Sequence, residues 1–287
     1  MDLQKQENAI NSLNVKKDYI GVTAARGFLA AGIKAGLKKS NNYDLGCLYS
    51  VKPAVGAAVF TTNKFAAAPV VISRDQLQKS ETFRLIIVNS GSANACTGEQ
   101  GLKLARFIIE KSAKEYDINE SEILIASTGK IGVQLPIDKM LKNIFTLKDL
   151  MNNKPNNNFS KAIMTTDTFE KKYDVSFKLN NKTITIGGCA KGAGMINPSM
   201  ATMLCFITTD IAISKFCLQN ALNNSVKKSF NSITVDGDMS TNDTVFLLAN
   251  GMATNNFIDD ITSKEYKKFE EKLSQVCLEL AKMIVKD

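Results

Sequence analysis

A glycine-rich run that leads through a threonine into an apolar stretch constrains this chain more than any other feature. Residues 190–204 read AKGAGMINPSMATML, and the apolar residues 203–207 that overlap its end are typical of a buried strand. We therefore expect an irregular loop that enters the core at Thr202. Threonine is common in strands, but at such an edge it also suits a nucleophile whose own backbone amine becomes its base.

The composition removes the usual partners of such a nucleophile, because none of the 287 residues is histidine. Without imidazole there is no Ser-His or Cys-His dyad and no histidine metal site. The cysteines are far apart and form no C-x-x-C pair, which favours free buried thiols; they are Cys47, Cys96, Cys189, Cys205, Cys217 and Cys277. We predict neither a metal nor a cofactor.

The charge and hydropathy of the chain predict a globular protein of the cytoplasm. No run approaches the roughly 18 apolar residues that span a bilayer, and the polar residues 1–17 lack the apolar core of a secretory signal. The net charge of +8 comes from 36 basic and 28 acidic residues, and the basic pairs are scattered without interleaved aromatic residues. We therefore expect small anionic substrates such as amino-acid carboxylates, with no nucleic acid and no membrane.

Strand-like and helical apolar patterns alternate along the chain, which predicts a mixed α/β fold. Strands are predicted at 57–61, 85–88, 123–126, 203–207 and 245–249, and a hairpin over 175–186 that turns at Asn180-Asn181. Helices are predicted at 100–116, at 214–230, and from a Thr262-x-x-Glu265 capping box to Val285. The Asn-rich residues 151–159 indicate a surface loop or linker.

The end of the last helical pattern predicts that the chain is part of a longer protein. The pattern continues to Val285, and the sequence stops at Asp287 without a closing glycine or a further element. We expect a C-terminal truncation.

Seven segments in a fixed order resemble one known family. They are GVTAARGFLAAGIKAGLKK at 21–39, AVFTTNKFAAAPV at 58–70, VNSGSANACTGEQG at 88–101, STGKIG at 127–132, AIMTTDTFEK at 162–171, GGCAKGAGMINPSMATMLCFITTD at 187–210 and SITVDGDMSTNDT at 232–244. They closely resemble the ArgJ family, the ornithine/glutamate N-acetyltransferases of arginine biosynthesis. The resemblance covers nearly all of the chain beyond about residue 20. It implies a sandwich-type α/β fold of mixed sheets with flanking helices, in a self-processing enzyme with an N-terminal threonine nucleophile.

The resemblance also implies a reaction. The chain would cleave itself between Ala201 and Thr202, so that residues 1–201 form the α-chain region and residues 202–287 the start of the β-chain. The freed Thr202 would pass an acetyl group from N2-acetylornithine to glutamate, giving ornithine and N-acetylglutamate. The cleaved chains would stay together and assemble as α2β2. Whether acetyl-CoA is an additional substrate stays open.

The resemblance assigns roles to four further residues. Thr128 and Gly129 would form the oxyanion hole, while Thr165 and Lys191 would bind substrate together with Thr202. By their local patterns alone these positions are two turns and a solvated loop lysine. The remaining acceptor-site residues of the family would lie beyond residue 287.

Two other interpretations stay open, namely a self-processing aminopeptidase or amidohydrolase of related mechanism and an inactive truncated chain. The aspartates Asp236, Asp238 and Asp243 lack the spacing and terminal glutamate of an EF-hand, so we interpret them as structural or indirectly active-site residues.

Overall fold

The computed structural model describes residues 21–153, 158–194, 203–237 and 240–287. Within these ranges the strands are β1 (Phe28–Ile33), β2 (Leu45–Phe60), β3 (Thr82–Ser92), β4 (Ile123–Lys130), β5 (Lys171–Leu179), β6 (Lys182–Lys191), β7 (Leu204–Thr209) and β8 (Thr244–Ala249). The helices are α1 (Ala68–Lys79), α2 (Gly98–Tyr116), α3 (Ile137–Asn153), α4 (Phe159–Ile163), α5 (Lys215–Lys227) and α6 (Lys264–Lys286). This alternation confirms the mixed α/β class.

The strands form one sheet that bends at β2. The strand order is β4-β3-β2-β8-β7-β6-β5, with β1 paired to β2. The pairing of β2 with β3 shifts register between Tyr49 and Ala54, and beyond the shift β2 pairs with β8. A shift of this kind bends a strand. We name β1, β3 and β4 the first half-sheet and β5 to β8 the second half-sheet, with β2 shared by both.

The two half-sheets face each other across an apolar core. Ile86 and Val88 of β3 join a cluster with Phe206 of β7 and Phe246 of β8, although β3 and β7 are not neighbours in the sheet. Side chains alternate along a strand, so residues between them, such as Ile207, face outward toward α5 and α6. Helices α2 and α3 cover the first half-sheet in the same way. This helix–sheet–sheet–helix arrangement confirms the sandwich-type fold with flanking helices.

The elements that the sequence pattern predicts most clearly are confirmed. Each predicted strand overlaps an observed one, but several observed strands are longer: β2 begins at Leu45, β3 spans Thr82–Ser92, and β4 continues to Lys130. The predicted hairpin joins β5 to β6 and turns at Asn180, which has a left-handed φ of 50°. The helices predicted at 100–116 and 214–230 correspond to α2 and α5, although α5 ends at Lys227.

The predicted capping box of the last helix is wrong by one residue. Ser263, not Thr262, caps α6, because its hydroxyl accepts the N–H of Tyr266 at 3.1 Å. The Thr262 hydroxyl instead donates to Asp260 at 2.8 Å, outside the helix.

The predicted surface loop at 151–159 is also wrong at both of its ends. Met151 belongs to α3 and is buried, with its sulfur 3.4 Å from that of Cys47. Phe159 opens α4 and is fully buried, with its ring edge-on to Phe206 at 5.1 Å. Residues 154–157 of this prediction lie outside the described ranges. Burial of these two apolar side chains thus outweighs the turn signal of the asparagines between them.

The cysteine prediction is confirmed. All six thiols are free; Cys96 is exposed and the other five are buried. None of the helices in the described part of the chain is both long and apolar enough to cross a membrane.

Candidate active site

The ends of β6 and β7 flank the predicted nucleophile. Lys191 is the last residue of β6, is 3% exposed, and pairs across the antiparallel ladder with Leu204, the first residue of β7. Residues 195–202 lie outside the described ranges, and with them Ala201 and Thr202. The pairing of the two strands nevertheless fixes where the chain re-enters the core, which is directly beside Lys191.

Asp243 holds the backbone that follows the predicted nucleophile. Its Oδ1 accepts the N–H of Met203 at 3.0 Å. Asp243 is 1% exposed, and its Oδ2 has no hydrogen-bond partner among the described residues. Burial raises the pKa of Asp243 to about 8, against the opposing effects of the Met203 N–H, the Lys191 ammonium and the Ser240 hydroxyl. The buried carboxyl of Asp243 therefore binds the residue that directly follows Thr202 through one oxygen, while its other oxygen has no partner among the described residues.

The residue before Asp243 reaches across to the first half-sheet. Asn242 Nδ2 donates to the carbonyl of Ser127 at 2.8 Å and to that of Ala93 at 2.6 Å. Ser127 lies on β4, directly before Thr128. Two neighbouring side chains thus tie the predicted oxyanion segment to the backbone that follows the predicted nucleophile.

The end of β4 is held rigidly against β3. Gly129 has a φ of 128°, which favours glycine, and a Cβ there would lie 2.5 Å from the carbonyl carbon of Gly91. Thr128 is 5% exposed, and the Ser127 hydroxyl donates to Asn89 Oδ1 at 2.6 Å. Preorganised donors for an oxyanion need a framework of this kind.

Asp167 connects Thr165 to the glycine-rich loop. Its Oδ2 accepts the N–H of Thr165 at 2.9 Å, and its Oδ1 accepts the N–H of Gly192 at 2.7 Å and the Lys171 ammonium at 2.7 Å. Although burial opposes ionisation, these hydrogen bonds hold the pKa of Asp167 below its ordinary value. Because Gly192 directly follows Lys191, the structure brings both predicted substrate-binding residues to one corner of the second half-sheet.

The two buried lysines of this corner differ in their partners. Lys171 is fully buried and forms salt bridges with Asp167 and with Asp287 at the end of α6. Lys191 forms no salt bridge with any described residue. Burial lowers the pKa of Lys191, while the more distant carboxylates of Asp167 and Asp243 act in the opposite direction.

A surface cavity of about 440 Å³ opens beside Thr165, with Lys38 and Lys161 in its wall. The Lys38 ammonium donates to the carbonyl of Met164 at 2.6 Å, and burial lowers its pKa. The volume is in the range of small-molecule sites, and the lysines suit a substrate that carries a carboxylate. Among the described residues no cluster of acidic, cysteine or histidine side chains could hold a metal ion.

Sequence reasoning missed part of this site. It overlooked Asn242 and interpreted Asp243 only as structural or indirectly involved. The available signal was a polar run, 240–243, that leads directly into the apolar strand β8. Of the other two aspartates, Asp236 is exposed and Asp238 lies outside the described ranges.

Comparison with known proteins decides the family. The sequence profile of the ArgJ family matches residues 29–287. This chain belongs to the ArgJ family. It is 47% identical over 260 residues to arginine biosynthesis bifunctional protein ArgJ 1 of Clostridium acetobutylicum, covering 91% of this chain and 63% of that protein. It is 48% identical over 270 residues to glutamate N-acetyltransferase of Methanocaldococcus jannaschii, covering 93% of this chain and 64% of that protein. The chain thus spans slightly less than two thirds of the length of these relatives.

Solved structures agree with the ArgJ assignment. ArgJ of Bacillus halodurans is 39% identical with a TM-score of 0.60, and the match covers 66% of this chain and 97% of the solved one. Ornithine acetyltransferase of Mycobacterium tuberculosis, solved with ornithine, is 35% identical with a TM-score of 0.56. The match covers 63% of this chain and 96% of the solved one. An aminopeptidase of Ochrobactrum anthropi with a variant of the Ntn-hydrolase fold is 11% identical with a TM-score of 0.55, covering 96% and 89%. That last likeness concerns the fold alone.

Proposed function

We propose that this ArgJ-family protein transfers an acetyl group from N2-acetylornithine to glutamate through an acetylated Thr202. The products would be ornithine and N-acetylglutamate, two intermediates of arginine biosynthesis. The names of two relatives support this reaction: a glutamate N-acetyltransferase that is 48% identical, and an ornithine acetyltransferase that was solved with ornithine. The reaction needs no cofactor, and acetyl-CoA enters only as a second candidate donor.

The first step is self-cleavage between Ala201 and Thr202. The Thr202 hydroxyl attacks the carbonyl carbon of Ala201, the C–O bond forms, the C–N bond breaks, and the hydroxyl proton passes to the nitrogen. Water then hydrolyses the ester, leaving a carboxylate on Ala201 and a free amine on Thr202. The two solved family chains support such a cut, because each is almost wholly covered by a match to about two thirds of this chain. That length is close to residues 1–201.

Cleavage creates the base that the chain otherwise lacks. An α-amine titrates near about 7.7–8.0 and is partly neutral at cellular pH, so it can accept the proton of the Thr202 hydroxyl. The hydroxyl oxygen then attacks the acetyl carbon while Thr128 and Gly129 stabilise the oxyanion. The C–N bond of the donor breaks and ornithine leaves with the proton. The amine of glutamate then attacks the ester carbon, the C–O bond to Thr202 breaks, and the proton that this amine loses passes through the Thr202 amine to the hydroxyl oxygen. Thr165 and Lys191 contact the substrates in this scheme.

The observation that carries this proposal is the double tether at residues 242 and 243. Asn242 binds the carbonyl of Ser127 at 2.8 Å, and Asp243 binds the amide of Met203 at 3.0 Å. Each hydrogen bond is made to a residue that is adjacent in sequence to a predicted catalytic group: Ser127 precedes Thr128, and Met203 follows Thr202. Both ends lie on strands or directly beside them, and such elements hold a site more precisely than loops do.

The strand pairing supports an assembly of cleaved chains. Strand β6 would belong to the first fragment and β7 to the second, and they pair from Ile186↔Thr209 to Lys191↔Leu204. β7 is also paired with β8 inside the sheet. The fragments would therefore remain bound after cleavage, and we propose that two such pairs associate as α2β2.

An isotope-transfer assay tests the reaction. N-acetylornithine with a labelled acetyl group is mixed with glutamate and the purified protein, and we expect labelled N-acetylglutamate. Thr202→Ala should abolish both cleavage and transfer, whereas Thr202→Ser, which keeps a hydroxyl, should retain part of each. Repeating the assay with labelled acetyl-CoA tests the second donor.

Other results would favour the competing functions. Labelled acetate without labelled N-acetylglutamate would indicate a hydrolase of the aminopeptidase or amidohydrolase type. Normal cleavage in Thr202→Ala would contradict the nucleophile. An uncleaved wild-type chain that transfers nothing would leave a binding or folding role only.

A further inference from the structure

A buried carboxyl oxygen without a partner lies beside the predicted nucleophile. Asp243 Oδ2 has no hydrogen-bond donor among the described residues, although the side chain is 1% exposed. Buried polar atoms are nearly always paired, so an open acceptor of this kind marks a place that a donor occupies at another stage. The mechanism above leaves this oxygen unused.

The position of the other oxygen identifies the donor. Asp243 Oδ1 already accepts the N–H of Met203 at 3.0 Å. Thr202 directly precedes Met203 in the chain, so only three covalent bonds separate its nitrogen from that amide nitrogen. A carboxylate that binds one of two successive nitrogens can therefore bind the other through its second oxygen, once the first has become a free amine.

We propose that Asp243 is a positioning residue that orients the α-amine of Thr202 after cleavage and stabilises the ammonium formed when that amine accepts the hydroxyl proton. This inference rests on the proposed function, since it requires cleavage before Thr202. It assigns to Asp243 the part that a buried carboxylate takes when it orients a catalytic base and balances the charge that the base acquires. The chain has no histidine, so the amine and Asp243 together replace that base and its partner.

The proton balance is complete within these groups and the substrates. As the Thr202 oxygen forms its bond to the acetyl carbon, its proton moves to the amine, which becomes an ammonium facing Asp243. When the C–N bond of the donor breaks, the ammonium returns that proton to the departing ornithine amine. The Asp243 carboxylate binds this cation between the two transfers.

The charged groups around Asp243 are compatible with this role. Lys191 on β6 faces it, and the carboxylate of Asp167 and the ammonium of Lys171 lie beyond Lys191. Directly before β7 Asp243 accepts the backbone N–H of Met203, and before β8 it faces the Ser240 hydroxyl. Burial raises the pKa of Asp243 to about 8 in the structure described, so the arrival of an ammonium favours the ionised form of this carboxyl.

Two isosteric substitutions separate this role from the general effect of losing a buried carboxyl. Asp243→Asn keeps an acceptor for Met203 but loses the negative charge. The matched control is Asp210→Asn, at the other end of β7, where a fully buried Asp210 accepts the N–H of Thr185 at 2.8 Å and pairs with Arg26 at 2.9 Å. Cleavage is read by intact mass, and acetyl transfer is then measured from about pH 5.5 to about pH 9.5, a range that brackets the titration of an α-amine.

We expect both variants to cleave. Asp243→Asn should slow acetyl transfer at least about tenfold, and the midpoint of its rise with pH should move down by about one pH unit. The midpoint moves down because a carboxylate raises the pKa of a neighbouring amine, so loss of the carboxylate lets the amine become neutral at lower pH. Asp210→Asn should keep the wild-type rate and midpoint.

Four results would contradict the assignment. An unchanged rate and midpoint in Asp243→Asn would remove the role of the carboxylate while leaving the proposed function intact. Failure of Asp243→Asn alone to cleave would place the carboxyl in the earlier step and overturn its positioning role in transfer. An uncleaved wild type would overturn the proposed function and this inference with it. If Asp243→Asn does not fold, the pH dependence of labelling of the wild-type Thr202 amine decides: a pKa of about 8 or above supports the role, and a lower one contradicts it.

Discussion

Two regions at the corner of the second half-sheet each contain a buried lysine, and they differ in whether that lysine forms salt bridges. In the first, which we name the ion-pair cluster, Lys171 is bound by Asp167 and Asp287, and Asp287 also accepts the N–H of Thr168 at 3.1 Å. In the second, which we name the unpaired cluster, Lys191 has no salt bridge with a described residue and Asp243 Oδ2 has no hydrogen-bond partner among them. The regions are adjacent, because Lys171 pairs on the sheet with Ala190.

This contrast distinguishes charges that hold the fold from charges that await a ligand. A buried ion pair whose partners satisfy each other has nothing left to offer a substrate, and breaking it is costly. A buried charge without a partner is already unfavourable, so the fold tolerates it where another molecule or a new chain end completes it. The unpaired cluster contains the second kind, and it contacts the residue that follows the predicted cleavage site through the bond from Met203 to Asp243.

The largest effect should come from breaking the ion-pair cluster. Lys171→Met leaves the carboxylates of Asp167 and Asp287 without their cation, and we expect the free energy of unfolding in urea to fall by about 3–5 kcal/mol. The control is Lys172→Met, the next residue, whose partly exposed ammonium pairs with Glu170 at 3.0 Å. That change should cost less than about 1 kcal/mol. Equal losses in both variants would contradict the structural role of Lys171.

The next effect should appear in activity and not in stability. Lys191→Met removes a buried ammonium that no described carboxylate neutralises directly, so the free energy of unfolding should stay the same or rise. Acetyl transfer should fall about 100-fold, as it does when an electrostatic group of an active site is lost. Lys182→Met, at the exposed start of the same strand, is the control. A loss of stability as large as that of Lys171→Met would mean that the two regions do not differ.

The smallest effect should come from the tether between the half-sheets. Asn242→Ala removes the side-chain donor to the carbonyls of Ala93 and Ser127, which should lower the free energy of unfolding by about 1–3 kcal/mol. Transfer should slow about tenfold, since the oxyanion segment is then less firmly placed relative to Thr202. Asn250→Ala, at the other end of β8, removes a comparable bond to the carbonyl of Arg26 at 2.8 Å. It should cost similar stability and leave transfer unchanged.

The sequence predicted local structure well where one segment carries its own pattern. Alternating apolar residues identified β5 and β6, and their register follows from the turn at Asn180. Helix α3 was missed, although Met140, Ile144, Leu147 and Met151 line one of its sides. The asparagines at its end favour turns, and this local signal predicts a loop where the apolar spacing continues the helix.

The contacts that build the site could not be predicted from local pattern. The bond from Asn242 to Ser127 joins residues 115 positions apart, and it exists only because the two half-sheets fold onto each other. Nothing in the sequence around Asp243 indicates that one of its oxygens is buried without a hydrogen-bond partner among the described residues. The family resemblance pointed to Thr128, Thr165 and Lys191, but the residues that hold them in place become visible only in three dimensions.

Cleavage before Thr202 is the claim on which the proposed reaction depends, and intact-mass spectrometry of the purified chain measures it directly. We predict two fragments, residues 1–201 and residues 202–287, with a free amine on Thr202, and a single intact species for Thr202→Ala. A wild-type chain that stays whole, both at 287 residues and when extended to the length of its relatives, would contradict the claim.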